Sequence, residues 1–265
     1  MPVRATVPAA SMKPVALFVR LVSIALLFSA IHSCSEETAG MKTPVARATE
    51  KNPGHGWVIL VHGMLSGPRA MSRIENELLR NGYRVINFGY DSRKDSIQTV
   101  ADNLDSTLRT ELPNDAGAIH FVTHSLGAVV VRYYLSERKM KNLGRFVMIA
   151  PPNQGSVWGK TLVKNIPAVK FLLGITGEEL QYSLKYRPAQ PPPCEFGVIS
   201  GGTGTSRGLN PLIPGDNDAT VAVEETRLEG MKDHIVIPGQ HTMLLFQKRV
   251  VDNVVSFLGT GKFIY

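Results

Sequence analysis

The chain has 265 residues, 43% of them hydrophobic and 19% charged, with two cysteines. This composition excludes disordered, collagen-like and disulfide-stapled classes, and the length suffices for one ordinary domain that stands without a metal or a disulfide. Three of the 29 basic residues, Arg4, Lys13 and Arg20, lie in the acid-free first 33 positions, so the remainder carries only 26 basic against 22 acidic residues and no cationic stripe of the kind that marks a nucleic-acid partner.

At the N-terminus a basic stretch ends at Arg20 and is followed by the apolar run Leu21 to Ile31 and then by small and polar residues. Residues 1–33 therefore read as an export signal, which places the protein in the periplasm or cell envelope. Counted from Val15, the run has 17 residues with Arg20 inside, short of the roughly 20 clean apolar residues of a membrane span. The tetrapeptide Ile31-His32-Ser33-Cys34 resembles the lipobox of bacterial lipoproteins, although His32 departs from the small or aliphatic residue usual there. The resemblance implies lipid on Cys34 and association with a membrane surface; ordinary cleavage nearby, with Cys34 an incidental thiol, is the other reading. Residues 34–54 are polar, carry two prolines and lack any period, and read as a flexible tether to a domain at 55–265.

Within that domain, short apolar runs predict strands at Trp57 to Val61, Tyr83 to Phe88, Ile119 to Thr123, Phe146 to Ile149, Phe196 to Ser200 and Ile235 to Ile237. Met71, Ile74, Leu78 and Leu79 follow helical spacing and stop at Asn81-Gly82; Ile97, Val100, Ala101, Leu104 and Leu108 do the same before Pro113. Strands alternating with helices of this length imply an α/β fold with a mostly parallel sheet covered on both faces. The less regular segment from Ser156 to Pro193 reads as a packed helix and a loop, giving a small lid or none; a lid over a cleft is the alternative.

The segment Ile119 to Tyr133 carries the strongest chemical signal. An apolar strand, Ile119-His120-Phe121-Val122-Thr123, runs into His124-Ser125-Leu126-Gly127 and then an apolar helix, with a serine at the apex. A hydroxyl is a weak nucleophile; it needs exposure from the sheet, a nearby base, and N–H groups to receive an oxyanion, all of which a strand, turn and helix supply. The pattern resembles the nucleophile elbow of the α/β-hydrolase superfamily in its T-H-S-[LM]-G form, common among bacterial lipase-like serine hydrolases. Here Thr123 replaces the first glycine, and its side chain narrows the turn.

The resemblance implies an α/β-hydrolase fold and a Ser, acid, His order along the chain. Ser125 is the expected nucleophile. The Leu126 N–H is one oxyanion donor, and the family's second donor falls on Met64, after the strand that ends in His62-Gly63. His62, Gly63 and Leu65 would face the substrate, with His62 shaping the loop rather than acting as a base. His241, after Ile235 to Ile237, leaves the carboxyl end of the last strand and is preferred as base over His234, which precedes that strand. For the acid, Asp218-Ala219-Thr220-Val221 matches the family's pattern, with Asp216 the alternative. Ile149-Ala150-Pro151-Pro152-Asn153-Gln154-Gly155-Ser156 resembles the lipase turn G-T-P-x-x-G-S, so Gln154 or Asn153 would touch substrate or satisfy their own turn.

Other patterns fail on context. Gly202-Thr203-Gly204 is followed by Pro211 and Pro214 rather than by a helix, so no helix N-terminus awaits a phosphate. His120 and His124 lie about 13 Å apart in a strand and cannot share a metal. No metal or cofactor is expected. The expected reaction is hydrolysis of an apolar or lipid-like carboxylic ester, since Met64, Leu65, Leu126 and Val157 lie near the cleft; an acyltransferase with the same residues, or a non-catalytic binding protein of the same fold, are the alternatives.

Overall fold

The computed structural model describes residues 46–47, 55–165, 174–175, 179, 186, 188 and 190–265. The segment expected to be an export signal, Cys34 and most of the expected tether lie outside the described residues, as does much of the Ser156 to Pro193 segment.

The strands are β1 (Ala46–Arg47), β2 (Trp57–Val61), β3 (Arg84–Phe88), β4 (Ile119–His124), β5 (Leu143–Ile149), β6 (Phe196–Gly202) and β7 (Asp233–Pro238). The helices are α1 (Ser72–Arg80), α2 (Ile97–Glu111), α3 (Leu126–Glu137), α4 (Val157–Asn165), the four-residue α5 (Val223–Thr226) and α6 (Lys248–Thr260). The sheet runs β1-β3-β2-β4-β5-β6-β7, parallel throughout except for β1, which pairs antiparallel with β3 at one edge. Two residues make β1, too few for any periodic signal, and they fall inside the segment expected to be a tether.

The apolar runs that predicted the strands are the part of the chain buried on both sides. β2, β4 and β6 are buried at every position, as expected of inner parallel strands under two helical layers. On one face Ile59 and Phe121 meet Val100 and Leu104 of α2 and Val130 of α3. On the other, Val58, Leu60 and Val122 meet Ile74 and Leu78 of α1 and Val254 and Phe257 of α6. α2 starts where Ser96 caps it, its Oγ accepting from the Thr99 N–H at 3.0 Å.

Register brings the carboxyl ends of the strands to one rim. Val61 pairs with Thr123, His124 with Ile149, and Ser200 with Val236. The chain passes from β2 to β3 on one side and then crosses to β4 on the other, so the strand order reverses between β2 and β4. In open parallel sheets the crevice at such a reversal is where ligands bind, and the loops after β2 and β4 carry His62-Gly63 and Ser125.

Candidate active site

Ser125 occupies a single turn position between β4 and α3, with φ 50° and ψ −120°. An L-residue reaches that conformation only under constraint, at a cost of about 1–3 kcal/mol. The constraint is visible on both sides. The Ser125 N–H donates to the Ile149 carbonyl at 2.9 Å, and α3 packs so close to the end of β2 that a Cβ on Gly127 would stand 2.4 Å from the Val61 oxygen. Thr123 lies before the turn, inside the β4 ladder opposite Val61 and Met148. A β-branched residue suits that strand position, and so the missing glycine leaves the turn unaffected.

The non-glycine residues with positive φ among the described residues are Leu65, Ser125, Ala150 and Ala219. They follow β2, β4, β5 and β6 respectively, so the backbone strain collects along the rim where the strands end.

Three side chains far apart in sequence meet there. His241 Nε2 lies 2.9 Å from Ser125 Oγ, and His241 Nδ1 lies 2.6 Å from Asp218 Oδ2. A carboxylate can only accept, so Nδ1 carries the proton and Nε2 presents a lone pair to the serine hydroxyl. The other carboxylate oxygen accepts the N–H groups of Thr220 at 3.0 Å and Val221 at 2.8 Å. Asp218 is fully buried, whereas Ser125 and His241 keep 9% and 7% of their surface exposed. Solvent access thus exists at the hydroxyl end of the chain of hydrogen bonds and not at the carboxylate end.

Asp216 has a different task. Its carboxylate accepts the N–H groups of Thr203 at 2.7 Å and Gly204 at 2.9 Å. The glycine turn that resembled a phosphate cradle is therefore filled by the protein's own anion. His234 Nε2 pairs with Ser200 Oγ at 2.7 Å near the amino end of β7, while Asp233 receives the Phe263 N–H. Neither reaches Ser125.

The loop after β2 is held from the far side by the segment after β3. The Tyr90 hydroxyl donates to the His62 carbonyl at 2.9 Å, the Tyr90 ring stacks on the His62 ring at 4.3 Å, and Ser92 Oγ accepts the Leu65 N–H at 2.9 Å. His62 Nδ1–H donates to the Gly63 carbonyl at 2.8 Å. Burial pushes the His62 imidazole down to about 4, against the smaller opposing effect of that carbonyl, so it remains neutral at pH 7. Tyr90 and Ser92 belong to no sequence motif; their position just beyond the carboxyl end of β3 is the signal that points to them.

Side-chain direction differs from expectation at Leu126. Leu126 is fully buried in the core between sheet and helices, and Met64 packs against the same core. A side chain in the first turn of a helix leans back toward the helix start, here into the sheet, so Leu126 does not line a cleft, while Met64 is only partly buried. Their backbone amides are a separate matter: Leu126 opens α3, where the first N–H groups have no acceptor within the helix. Gln154 donates from its side chain to the Arg227 carbonyl at 3.1 Å, and Asn153 donates to the Thr226 carbonyl at 2.7 Å. Both stitch the loop after β5 to the carboxyl end of α5.

A family model described as "Putative serine esterase (DUF676)" matches residues 51–181, a span that includes the loop after β2 and the Ser125 turn but neither Asp218 nor His241. By sequence, no curated protein matches the chain. Solved structures match over most of its length. The mature lipase BlEst2 of Bacillus licheniformis aligns with a TM-score of 0.60 at 15% identity, over 80% of this chain and 94% of that one. By fold, the chain is an α/β-hydrolase. A lipase-esterase related protein from Clostridium acetobutylicum aligns at 0.56 with 15% identity, over 80% and 98%. A thermophilic esterase from Thermogutta terrifontis aligns at 0.55 with 16% identity, over 81% and 91%. The α/β-hydrolase fold accounts for the strained serine at the strand-to-helix turn, the glycine two residues on, and the arrival of acid and histidine from loops after later strands.

Proposed function

We propose that this α/β-hydrolase is a serine esterase acting on apolar carboxylic esters through an acyl-enzyme on Ser125. The observation that carries the reading is the continuous hydrogen-bonded line from Asp218 through His241 to Ser125 Oγ. In the proposed cycle, Ser125 Oγ attacks the ester carbonyl while His241 Nε2 takes its proton. Asp218 holds the imidazole in the required tautomer and stabilises the imidazolium that forms. The tetrahedral oxyanion is received by the N–H groups of Met64 and Leu126; each such donor contributes on the order of a hundredfold or more in rate. His241 then gives its proton to the leaving alcohol, and water releases the acyl group by the reverse route.

An apolar substrate is supported by the exposed side chains beside this line. Met243 is two residues past His241, and Leu209 donates its N–H to the Asn217 carbonyl, next to Asp218. Val157 follows Ser156, whose Oγ donates to the Thr220 carbonyl at 3.2 Å. The matched family description and the lipase and esterase neighbours support ester cleavage as the reaction class.

The test is a panel of esters of graded acyl length, run on the protein and on Ser125→Ala. Hydrolysis that rises with acyl length and disappears in the variant is expected; undiminished hydrolysis by Ser125→Ala contradicts the reading. The proposal extends to export with a lipid on Cys34, for which the pattern at residues 21–34 is the support. Cys34→Ser should move the protein from the membrane to the soluble fraction, and unchanged fractionation contradicts the lipid.

A further inference from the structure

His124 is the last residue of β4, fully enclosed, and it touches both halves of the site. Its Nε2 lies 3.2 Å from the His241 carbonyl oxygen, and the two rings stand 4.9 Å apart. A carbonyl only accepts, so Nε2 carries the proton and Nδ1 is bare. On the other side the His124 ring abuts the loop after β2: a Cβ on Gly63 would stand 2.7 Å from Nδ1 and 3.3 Å from Cε1. Nδ1 has no hydrogen-bond partner among the described residues. The backbone N–H of His241 is also tied, donating to the Asp218 carbonyl at 2.9 Å. His241 is thus gripped at both backbone groups, by Asp218 through its N–H and by His124 through its carbonyl, while its ring reaches Ser125, the residue next to His124.

We propose that His124 is a positioning residue whose ring, wedged between the backbone at Gly63 and the carbonyl of His241, sets the distance between the oxyanion loop and the imidazole that serves Ser125. This rests on the esterase reading above. His124 is not itself a base for Ser125: one nitrogen is committed to a carbonyl and the other faces Gly63. Nor does stability explain an imidazole here, because a buried acceptor without a partner is costly and an apolar side chain of similar size avoids that cost. Burial, and secondarily the neighbouring His241, hold the His124 imidazole well below the ordinary histidine range, so it is neutral at pH 7.

The experiment compares His124→Leu, His124→Gln and His124→Asn with the wild type on a soluble short-chain ester. The glutamine amide reaches about as far as Nε2 and can donate to the same carbonyl; the asparagine amide stops short. The expected result is a kcat lowered about tenfold to a hundredfold in His124→Leu and His124→Asn, as for a slight misplacement of reacting groups. KM should stay within about threefold, the signature of an interaction that matters in the transition state rather than in binding. The Leu variant should melt within a few degrees of the wild type, and His124→Gln should recover most of the lost kcat. Should the Leu variant not fold, the Gln and Asn pair decides alone. Equal kcat in those two variants, or wild-type kcat in a folded Leu variant, overturns the proposal. An inactive wild type would instead overturn the esterase reading, so the two failures are distinct.

Discussion

Asp218 meets His241 twice, its carboxylate accepting the ring N–H at 2.6 Å and its backbone carbonyl accepting the His241 N–H at 2.9 Å. The acid therefore fixes both the tautomer of the imidazole and the course of the chain that carries it. Asp218→Asn keeps the shape and the backbone bond but favours the wrong tautomer, so kcat should fall about a thousandfold or more. Asp216→Asn loosens the turn at Thr203 and Gly204 and leaves the His241 contacts in place; a loss below about tenfold is expected. Steady-state kinetics on one soluble ester checks both, and a larger loss in Asp216→Asn would reverse the assignment of the acid.

Gly127 sits inside α3, where alanine would ordinarily favour the helix by about 1 kcal/mol. Here a Cβ would stand 2.4 Å from the Val61 oxygen and 2.6 Å from the His62 oxygen, both backbone atoms that cannot swing aside. Gly127→Ala should therefore destabilise by about 2 kcal/mol and lower the melting temperature by roughly 4–8 °C. Calorimetry on the purified variant reads this directly, and a raised melting temperature would mean that α3 and β2 are not so close.

Thr123 is fully buried and its hydroxyl has no hydrogen-bond partner among the described residues. Thr123→Val keeps the branched shape and removes the unsatisfied group, so stability should stay the same or rise by about 1 kcal/mol, with ester hydrolysis unchanged. A marked loss of activity would show that the hydroxyl serves the turn.

The fold was legible in the sequence where burial on both faces forces unbroken apolar runs, as in Trp57 to Val61. It was less legible at β5, whose first residues Leu143, Gly144 and Arg145 are only half-buried and so carry no such run. At the site, the strand, turn and helix pattern pointed to Ser125 and the place after the last strand to His241, whereas Asp218 was preferred over Asp216 only through the resemblance to α/β-hydrolases. What no pattern conveyed was side-chain direction at a turn: that Leu126 faces the core, that His124 reaches the His241 carbonyl, and that Tyr90 and Ser92 brace the loop after β2. Those contacts join segments distant in sequence, and only the packed sheet fixes them.

His62 and His120 are both held neutral by burial, each pushed down to about 4, with the Arg145 cation adding to the effect at His120. The unfolded chain takes up protons near 6.5, whereas the folded one resists until about 4. The stabilisation is therefore complete above 6.5 and declines as pH falls from 6.5 toward 4; for His62 alone the full loss is on the order of 3 kcal/mol. Denaturant unfolding at a series of pH values should show this decline, and His62→Asn should make it shallower, with His120 and His124 still contributing. An unchanged slope in that variant would exclude His62 as a source.

The proposed role of Ser125, a nucleophile activated by its neighbours at the rim of the sheet, is open to covalent labelling. The direct measurement is intact-protein and peptide mass spectrometry after treatment with a serine-directed fluorophosphonate. One adduct is expected, on Ser125, absent in Ser125→Ala and slowed severely in His241→Ala. Equal labelling of Ser125→Ala, or an adduct on another residue, would contradict that role.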